Sequence, residues 1–277
     1  MKKYVVVGIG LFVIACNNTD SSNNATSSND AAGNTAIAAP IALNYTIQKV
    51  YPHDTSAYTQ GLLWYNNRLI EGTGLRGKSV LYQMDDQLKP FGKKVNLELP
   101  YFGEGITVFD GKIYQLTWEE HAVFVYNATT FKKINTLNWP YEGWGLTHND
   151  TSLIVSTGSS NLYFVNPTDF SIQKTLGVYN EYGYQSMLNE LEYVDGKLYA
   201  NIYGQNEVVV IEPETGQVLN NINFSNLLAQ AGVKYDPTTI DVGYVLNGIA
   251  YQAKSKTFFT IAYPCSSNFF LVNDFIF

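Results

Sequence analysis

The sequence predicts an all-β fold: a five-bladed β-propeller whose four-stranded antiparallel blades surround a central channel. Three observations carry this expectation. Strand-like runs bounded by Gly, Asn, Asp and Pro recur between Tyr45 and Val218, with little helical periodicity. A short motif, a polar or aromatic residue followed by Gly or Glu and then Leu or Ile, returns as Gln60-Gly-Leu, Glu104-Gly-Ile, Trp144-Gly-Leu, Asn189-Glu-Leu and Asn247-Gly-Ile, at intervals of 44, 40, 45 and 58 residues. Nine residues after each of the first four anchors lies the centre of a second strand, at Leu69, Ile113, Leu153 and Leu198. Units of roughly 40 to 45 residues with four strands each are the repeat of a propeller blade.

Taken in order, the chain opens with a targeting segment. Met1-Lys2-Lys3 is basic and Tyr4 to Ala15 is an apolar run of twelve, suited to an export leader and too short to span a bilayer as a finished helix. It ends in Ala15-Cys16, a small residue before a cysteine, which resembles a lipoprotein cleavage site with Cys16 lipidated. An ordinary leader with an incidental cysteine is the alternative. Residues 17–40 are nearly all Asn, Ser, Thr, Asp, Gly and Ala, too polar to bury a core, and read as a disordered tether. This predicts an exported protein at the bacterial cell envelope, touching the membrane only through its lipid anchor. Residues 41–277 suffice for one all-β domain. Cys265 is the other cysteine, so a disulfide within that domain is excluded. A net charge of −7 and a pI near 4.9 exclude nucleic acid as a partner, which calls for a basic stripe. The domain is read as a monomer.

Within the domain, Tyr45 to Val50 is a spare strand ahead of the first anchor, and the last blade lacks residues for a fourth strand. Borrowing the spare strand closes the ring and covers an edge. Gly105 to Phe109 and Lys112 to Thr117 form a hairpin about the Asp110-Gly111 turn. Third strands follow at Val80–Met84, Val123–Tyr126, Leu162–Val165 and Val208–Ile211. The long final interval is expected to hold one short helix, Phe224 to Gly232, with Ser225 as N-cap and Gly232 as stop. Innermost strands line the channel, so Gln60, Glu104, Trp144, Asn189 and Asn247 gather at one mouth. A ring of one carboxylate, three amides and an indole is poor packing logic and good binding-site logic. Glu104 lies between two glycines and after two aromatics, a setting that lifts a carboxyl pKa toward neutrality, as a general acid/base needs. Taken alone it also reads as a solvated residue at a strand start.

Seven segments resemble the plant and bacterial type glutaminyl-peptide cyclotransferases, also called glutamine cyclotransferases. They are Tyr51 to Leu62, Glu71 to Ser79, Tyr101 to Ile106, Gln115 to Trp118, Glu142 to Leu146, Leu188 to Tyr193 and Leu246 to Tyr251. The resemblance implies a five-bladed propeller that converts N-terminal glutamine of peptides or proteins to pyroglutamate with release of ammonia. It puts the catalytic role on Glu104, an aromatic wall on Phe102, Trp118 and Trp144, polar positions on Gln60 and Asn189, and a further aromatic on Tyr58. Tyr203 stands where the family commonly has tryptophan. For the two tryptophans plain core packing is the alternative, and for the two amides strand-end bonding to backbone. No cofactor is implied for catalysis. Some members hold a structural calcium, for which no carboxylate cluster is visible here. The stretch Thr260 to Phe270 departs from the family ending, and the expected Thr-Gly-Lys is absent; a reading-frame error in the gene is one explanation. The rival class is a non-enzymatic surface lipoprotein that binds peptide or glycan at the same mouth.

Two motifs read as decoys. Gly72 to Ser79 fits the phosphate-loop pattern G-x-x-x-x-G-K-S, but the strand Val80 to Met84 follows where that motif needs a helix. His53-Asp54 has no matching Ser or Cys nucleophile, and Asp54 reads as a turn cap.

Overall fold

The computed structural model describes residues 37–54, 56–232, 246–262 and 268–276, the last stretch through its backbone. The predicted leader, Cys16, the tether as far as residue 36, and Cys265 lie outside the described residues.

Strands β1 (Ile41–Ala42) and β2 (Asn44–His53) come first. The first sheet comprises β3 (Thr59–Tyr65), β4 (Arg68–Thr73), β5 (Val80–Met84) and β6 (Pro90–Asn96). The second comprises β7 (Gly103–Phe109), β8 (Lys112–Thr117), β9 (Ala122–Asn127) and β10 (Lys133–Asn138), and the third β11 (Leu146–His148), β12 (Leu153–Ser156), β13 (Asn161–Val165) and β14 (Ile172–Gly177). A small ribbon, β15 (Tyr179–Asn180) with β16 (Gly183–Tyr184), precedes the fourth sheet of β17 (Leu188–Val194), β18 (Lys197–Ile202), β19 (Glu207–Ile211) and β20 (Val218–Asn223). After the helix α1 (Leu227–Gln230), β21 (Asn247–Gln252), β22 (Thr257–Ala262) and β23 (Asn268–Ile276) build a sheet whose outer strand is β2, antiparallel to β23. The result is a propeller-like arrangement of small antiparallel sheets with almost no helix.

Turn chemistry sets the local register. Asn66-Asn67, Asp110-Gly111 and Asp195-Gly196 all have positive φ at both central positions, the type I′ geometry that matches the twist of the flanking strands. The expected second-strand centres Leu69, Ile113, Leu153 and Leu198 are fully buried. Each joins an apolar cluster between neighbouring sheets, and one cluster packs Leu62 and Leu69 against Phe259 and Ile261. The inner strands adjoin one another in the order β3, β7, β11, β17 and β21, and β21 adjoins β3.

The glycine of the repeated motif has a packing cause. A Cβ on Gly61 would lie 2.6 Å from the Ile106 nitrogen, on Gly105 2.5 Å from the Leu146 nitrogen, and on Gly145 2.0 Å from the Asn189 oxygen. Adjacent inner strands thus meet backbone to backbone, which leaves no room for a side chain. The fourth copy carries Glu190 instead. Its buried carboxyl accepts the Leu62 N–H at 3.1 Å and the Ile249 N–H at 2.7 Å, tying β17 to β3 and β21. Burial raises this carboxyl well above the usual range.

Two expectations need correction. The fourth sheet has five strands, because β1 adds in parallel to β20. The helix is limited to Leu227–Gln230 and its N-cap is Asn226, not Ser225. Ser225 belongs to an Asx turn ahead of the helix, in which the Asn223 side-chain oxygen accepts the Ser225 N–H at 2.8 Å. Gly232, at φ +70°, follows as the expected stop.

Candidate active site

In an antiparallel hairpin the start of the first strand and the end of the second share one end of the sheet. Gln60, Glu104 and Asn189 are the second residues of β3, β7 and β17, and Asn247 opens β21. Tyr58 and Phe102 immediately precede β3 and β7, while Trp118 and Tyr203 immediately follow β8 and β18. Backbone bonds fasten these positions together: Trp118 N–H donates to the Phe102 carbonyl at 3.1 Å, and Tyr203 N–H to the Met187 carbonyl at 2.8 Å. Trp144 departs slightly, lying two residues before β11, and the Gly105 N–H donates to its carbonyl at 2.8 Å.

The predicted aromatic residues meet in two groups, Tyr58 with Phe102 and Trp118, and Trp144 with Tyr203. Ring centroids of Tyr58 and Phe102 are 6.3 Å apart, those of Phe102 and Trp118 5.6 Å, and those of Trp144 and Tyr203 5.4 Å, all edge to face. All five are only partly buried, as a lining should be, whereas the core aromatics Trp139 and Tyr126 are 1% and 2% exposed. This separates Trp118 and Trp144 from plain core packing. Opposite large rings the chain places glycine: a Cβ on Gly74 would lie 2.3 Å from the Phe102 ring and 3.1 Å from Gln60 Cγ.

The amides form a second group. Asn247 donates from Nδ2 to Gln60 Oε1 at 3.1 Å and to the Thr59 carbonyl at 3.0 Å, and its Oδ1 accepts from Asn189 Nδ2 at 3.2 Å. All three are buried. Oriented this way, Gln60 keeps its amide nitrogen as a donor and Asn189 its oxygen as an acceptor. Side chain to side chain bonding thus prevails over the strand-end backbone alternative.

Glu104 is 5% exposed, and no hydrogen-bond partner reaches its carboxyl among the described residues. Its pKa is raised well above the ordinary carboxylate range, chiefly by burial and then by the neighbouring Glu120 and Glu142 carboxylates. The solvated alternative does not hold.

Glu142 was not among the expected site residues. Its Oε2 accepts from Trp118 Nε1 at 2.9 Å and from Trp144 Nε1 at 3.0 Å. A sequence signal existed: Tyr58, Phe102 and Glu142 each stand two residues before an anchor, so Glu142 occupies a position that holds an aromatic in two other repeats. Glu120 is a second unforeseen neighbour, accepting the Phe102 N–H at 3.2 Å and pairing with Arg76 at 2.8 Å. Arg76 also lies 5.3 Å from the Trp118 ring. It comes from the phosphate-loop decoy, where Gly74 to Ser79 form a turn between β4 and β5 and no helix follows.

The other decoy resolves into supports. Asp54 Oδ1 accepts from both the N–H and the hydroxyl of Ser56 at 2.8 Å, the expected turn cap. His53 instead meets Glu71, Nε2 to Oε2 at 2.9 Å, and the same buried carboxyl accepts the hydroxyls of Thr59 and Tyr82. Among the described residues no group of three or more His, Cys, Asp or Glu could hold a metal.

Comparison with known proteins bears on this arrangement. The family described as "Glutamine cyclotransferase" matches residues 14–262. A glutaminyl-peptide cyclotransferase of Arabidopsis thaliana is 33% identical over 214 residues, which cover 76% of this chain and 65% of the relative's length. The crystal structure of Myxococcus xanthus glutaminyl cyclase superposes with a TM-score of 0.74 at 30% identity, covering 86% of this chain and all of that one. The chain belongs to the glutamine cyclotransferase family.

Proposed function

We propose that this chain cyclises N-terminal glutamine of peptides or proteins to pyroglutamate with release of ammonia, on a closed five-bladed propeller. Family membership supports the reaction. One observation carries it to this chain's own residues: a buried carboxyl, Glu104, without a partner among the described residues, at the same strand ends as the aromatic groups and the linked set of amides. The succession of adjoining inner strands, with β21 beside β3, supports the closed ring.

The chemistry follows from the donor set. The substrate carries its own nucleophile, so no covalent serine or cysteine is needed; the site must fold the glutamine back on itself. The α-amine attacks the γ-carboxamide carbon, forming the lactam C–N bond, while the Glu104 carboxylate takes one amine proton. Gln60, with its nitrogen free to donate, stabilises the tetrahedral oxyanion, and Asn189 accepts from the departing NH2 group. The C–NH2 bond then breaks, Glu104 returns its proton to that nitrogen, and ammonia leaves. A raised carboxyl pKa suits both transfers, because the carboxylate is a better base and its acid lies closer to the working pH. Tyr58, Phe102, Trp118, Trp144 and Tyr203 pack against the alkyl chain and exclude water.

Mass spectrometry of a peptide with N-terminal glutamine tests the reading. The expected product has lost one ammonia, and the N-acetylated peptide stays unchanged. A folded protein that leaves the free peptide intact would contradict it. We also propose lipidation at Cys16 and residence at the bacterial cell envelope, supported by the leader composition; fatty-acid labelling that survives Cys16→Ser would contradict that.

A further inference from the structure

Three of the chain's four tryptophans donate a hydrogen bond to the same residue. Trp139, itself almost fully buried, donates from Nε1 to the Glu142 backbone carbonyl at 3.0 Å and so fixes the main chain there. Trp118 and Trp144 donate to one side-chain oxygen, at 2.9 and 3.0 Å. These two indoles come from different sheets, one following β8 and the other preceding β11. Between them, in chain and in space, the Gly143 N–H donates to the Trp118 carbonyl at 2.9 Å. An exposed glutamate normally gains little from staying in one rotamer. Here two charge-assisted bonds hold it, each stronger than a neutral one.

We propose that Glu142 is a positioning residue for the cyclisation: it locks Trp118 and Trp144 as the two jaws that close on the substrate's glutamine side chain. The proposal rests on the cyclotransferase reading. Without Glu142 each indole loses its acceptor and is held by its ring neighbours alone, so the jaws must be ordered further with every substrate. The second effect is electrostatic. The charged groups near Glu104 are Glu142, from the segment before β11, and Glu120, from the segment after β8. Arg76, from the turn after β4, pairs with Glu120 and Glu119. Glu142 has no cation partner among the described residues, so its charge stands uncompensated beside the buried carboxyl.

The experiment uses three variants, Glu142→Gln, Glu142→Asp and Glu142→Ala, assayed on a peptide with N-terminal glutamine. Glu142→Ala should lower kcat/KM by about tenfold or more, mostly through KM, because the jaws act in binding. Glu142→Gln keeps an acceptor and loses the charge. Removing a negative neighbour lowers the Glu104 pKa, so the acid limb of the kcat/KM profile should move to lower pH. Glu142→Asp keeps the charge but is too short to reach both indoles, so its acid limb stays in place while KM rises. A merely structural residue would not split the two effects. Acrylamide quenching of tryptophan emission gives a readout independent of turnover: Glu142→Ala should be quenched more than the parent, and the gap should vanish in a Trp118→Phe/Trp144→Phe background. An active parent with all three variants within twofold of it, at every pH, overturns the inference. An inactive parent removes the reaction reading instead, and unchanged quenching then removes the positioning role as well.

Discussion

Replacing Gly145 by alanine isolates the cost of the close contact that organises the inner strands. Gly145 has no left-handed backbone conformation, so a substitution there is judged on space alone. The added Cβ would lie 2.0 Å from the Asn189 oxygen and 2.8 Å from Glu190 Cα, where ordinary contact begins at 3.4 Å. The obstacle is backbone, so β17 must retreat by roughly 1 Å or more. That motion also breaks a buried relay, in which the Gly145 N–H donates to Ser156 Oγ at 2.7 Å and that hydroxyl donates to the Asn189 carbonyl at 2.6 Å. Overpacking costs about 1–3 kcal/mol, and a main-chain obstacle belongs at the upper end. At about 2–4 °C per kcal/mol for a domain of this size, the unfolding midpoint should fall by roughly 6–12 °C. Gly111→Ala is the control. Nothing lies within 4 Å of its Cβ, but φ is +68°, so it carries only conformational strain of about 1–2 kcal/mol. Thermal unfolding followed by circular dichroism compares the two. A Gly145→Ala midpoint within a degree of the parent, or above that of Gly111→Ala, would refute the close-contact account of the motif.

Two other predictions concern polar groups, the buried amides and the partly buried Glu192. Asn247→Leu leaves Gln60 Oε1 and Asn189 Nδ2 without the partner they share, so kcat/KM on a glutaminyl peptide should drop by about tenfold or more; an unchanged value would detach the amides from the reaction. Glu192 accepts the Tyr251 N–H at 2.9 Å, and burial raises its pKa from 4.5 to about 8. Because the unfolded chain releases this proton first, stability declines as pH rises from about 4.5 to about 8. Glu192→Gln should therefore gain in melting temperature relative to the parent between pH 5 and pH 8, and a gap independent of pH would contradict the assignment.

The parts of the molecule legible in sequence are those set by local chemistry. The Asp110-Gly111 turn, the period-two strands around it and the buried centres at Leu69, Ile113, Leu153 and Leu198 depend on residues close in the chain. Ring members at strand starts were legible because a repeat places equivalent residues at one end of their sheets. Contacts between repeats were harder to read. Glu190 looks like a lapse in the motif until Leu62 and Ile249 are seen to donate to it, at separations of 128 and 59 residues. Glu142 resembles a solvated glutamate until two indoles from different sheets converge on it. The helix start reads one residue early in the sequence: Ser225 lies in an Asx turn closed by Asn223, and the helix begins after Asn226 with no side-chain cap for a start signal to report.

The account turns on Glu104 as the group that moves the proton. The direct measurement is ammonia release from a peptide with N-terminal glutamine by the parent and by Glu104→Gln, with the unfolding temperature of each recorded alongside. Glutamine matches the carboxyl in shape and cannot exchange the proton, so release should fall by about 100-fold or more while the fold persists. A folded Glu104→Gln protein that releases ammonia within a few-fold of the parent would contradict the account.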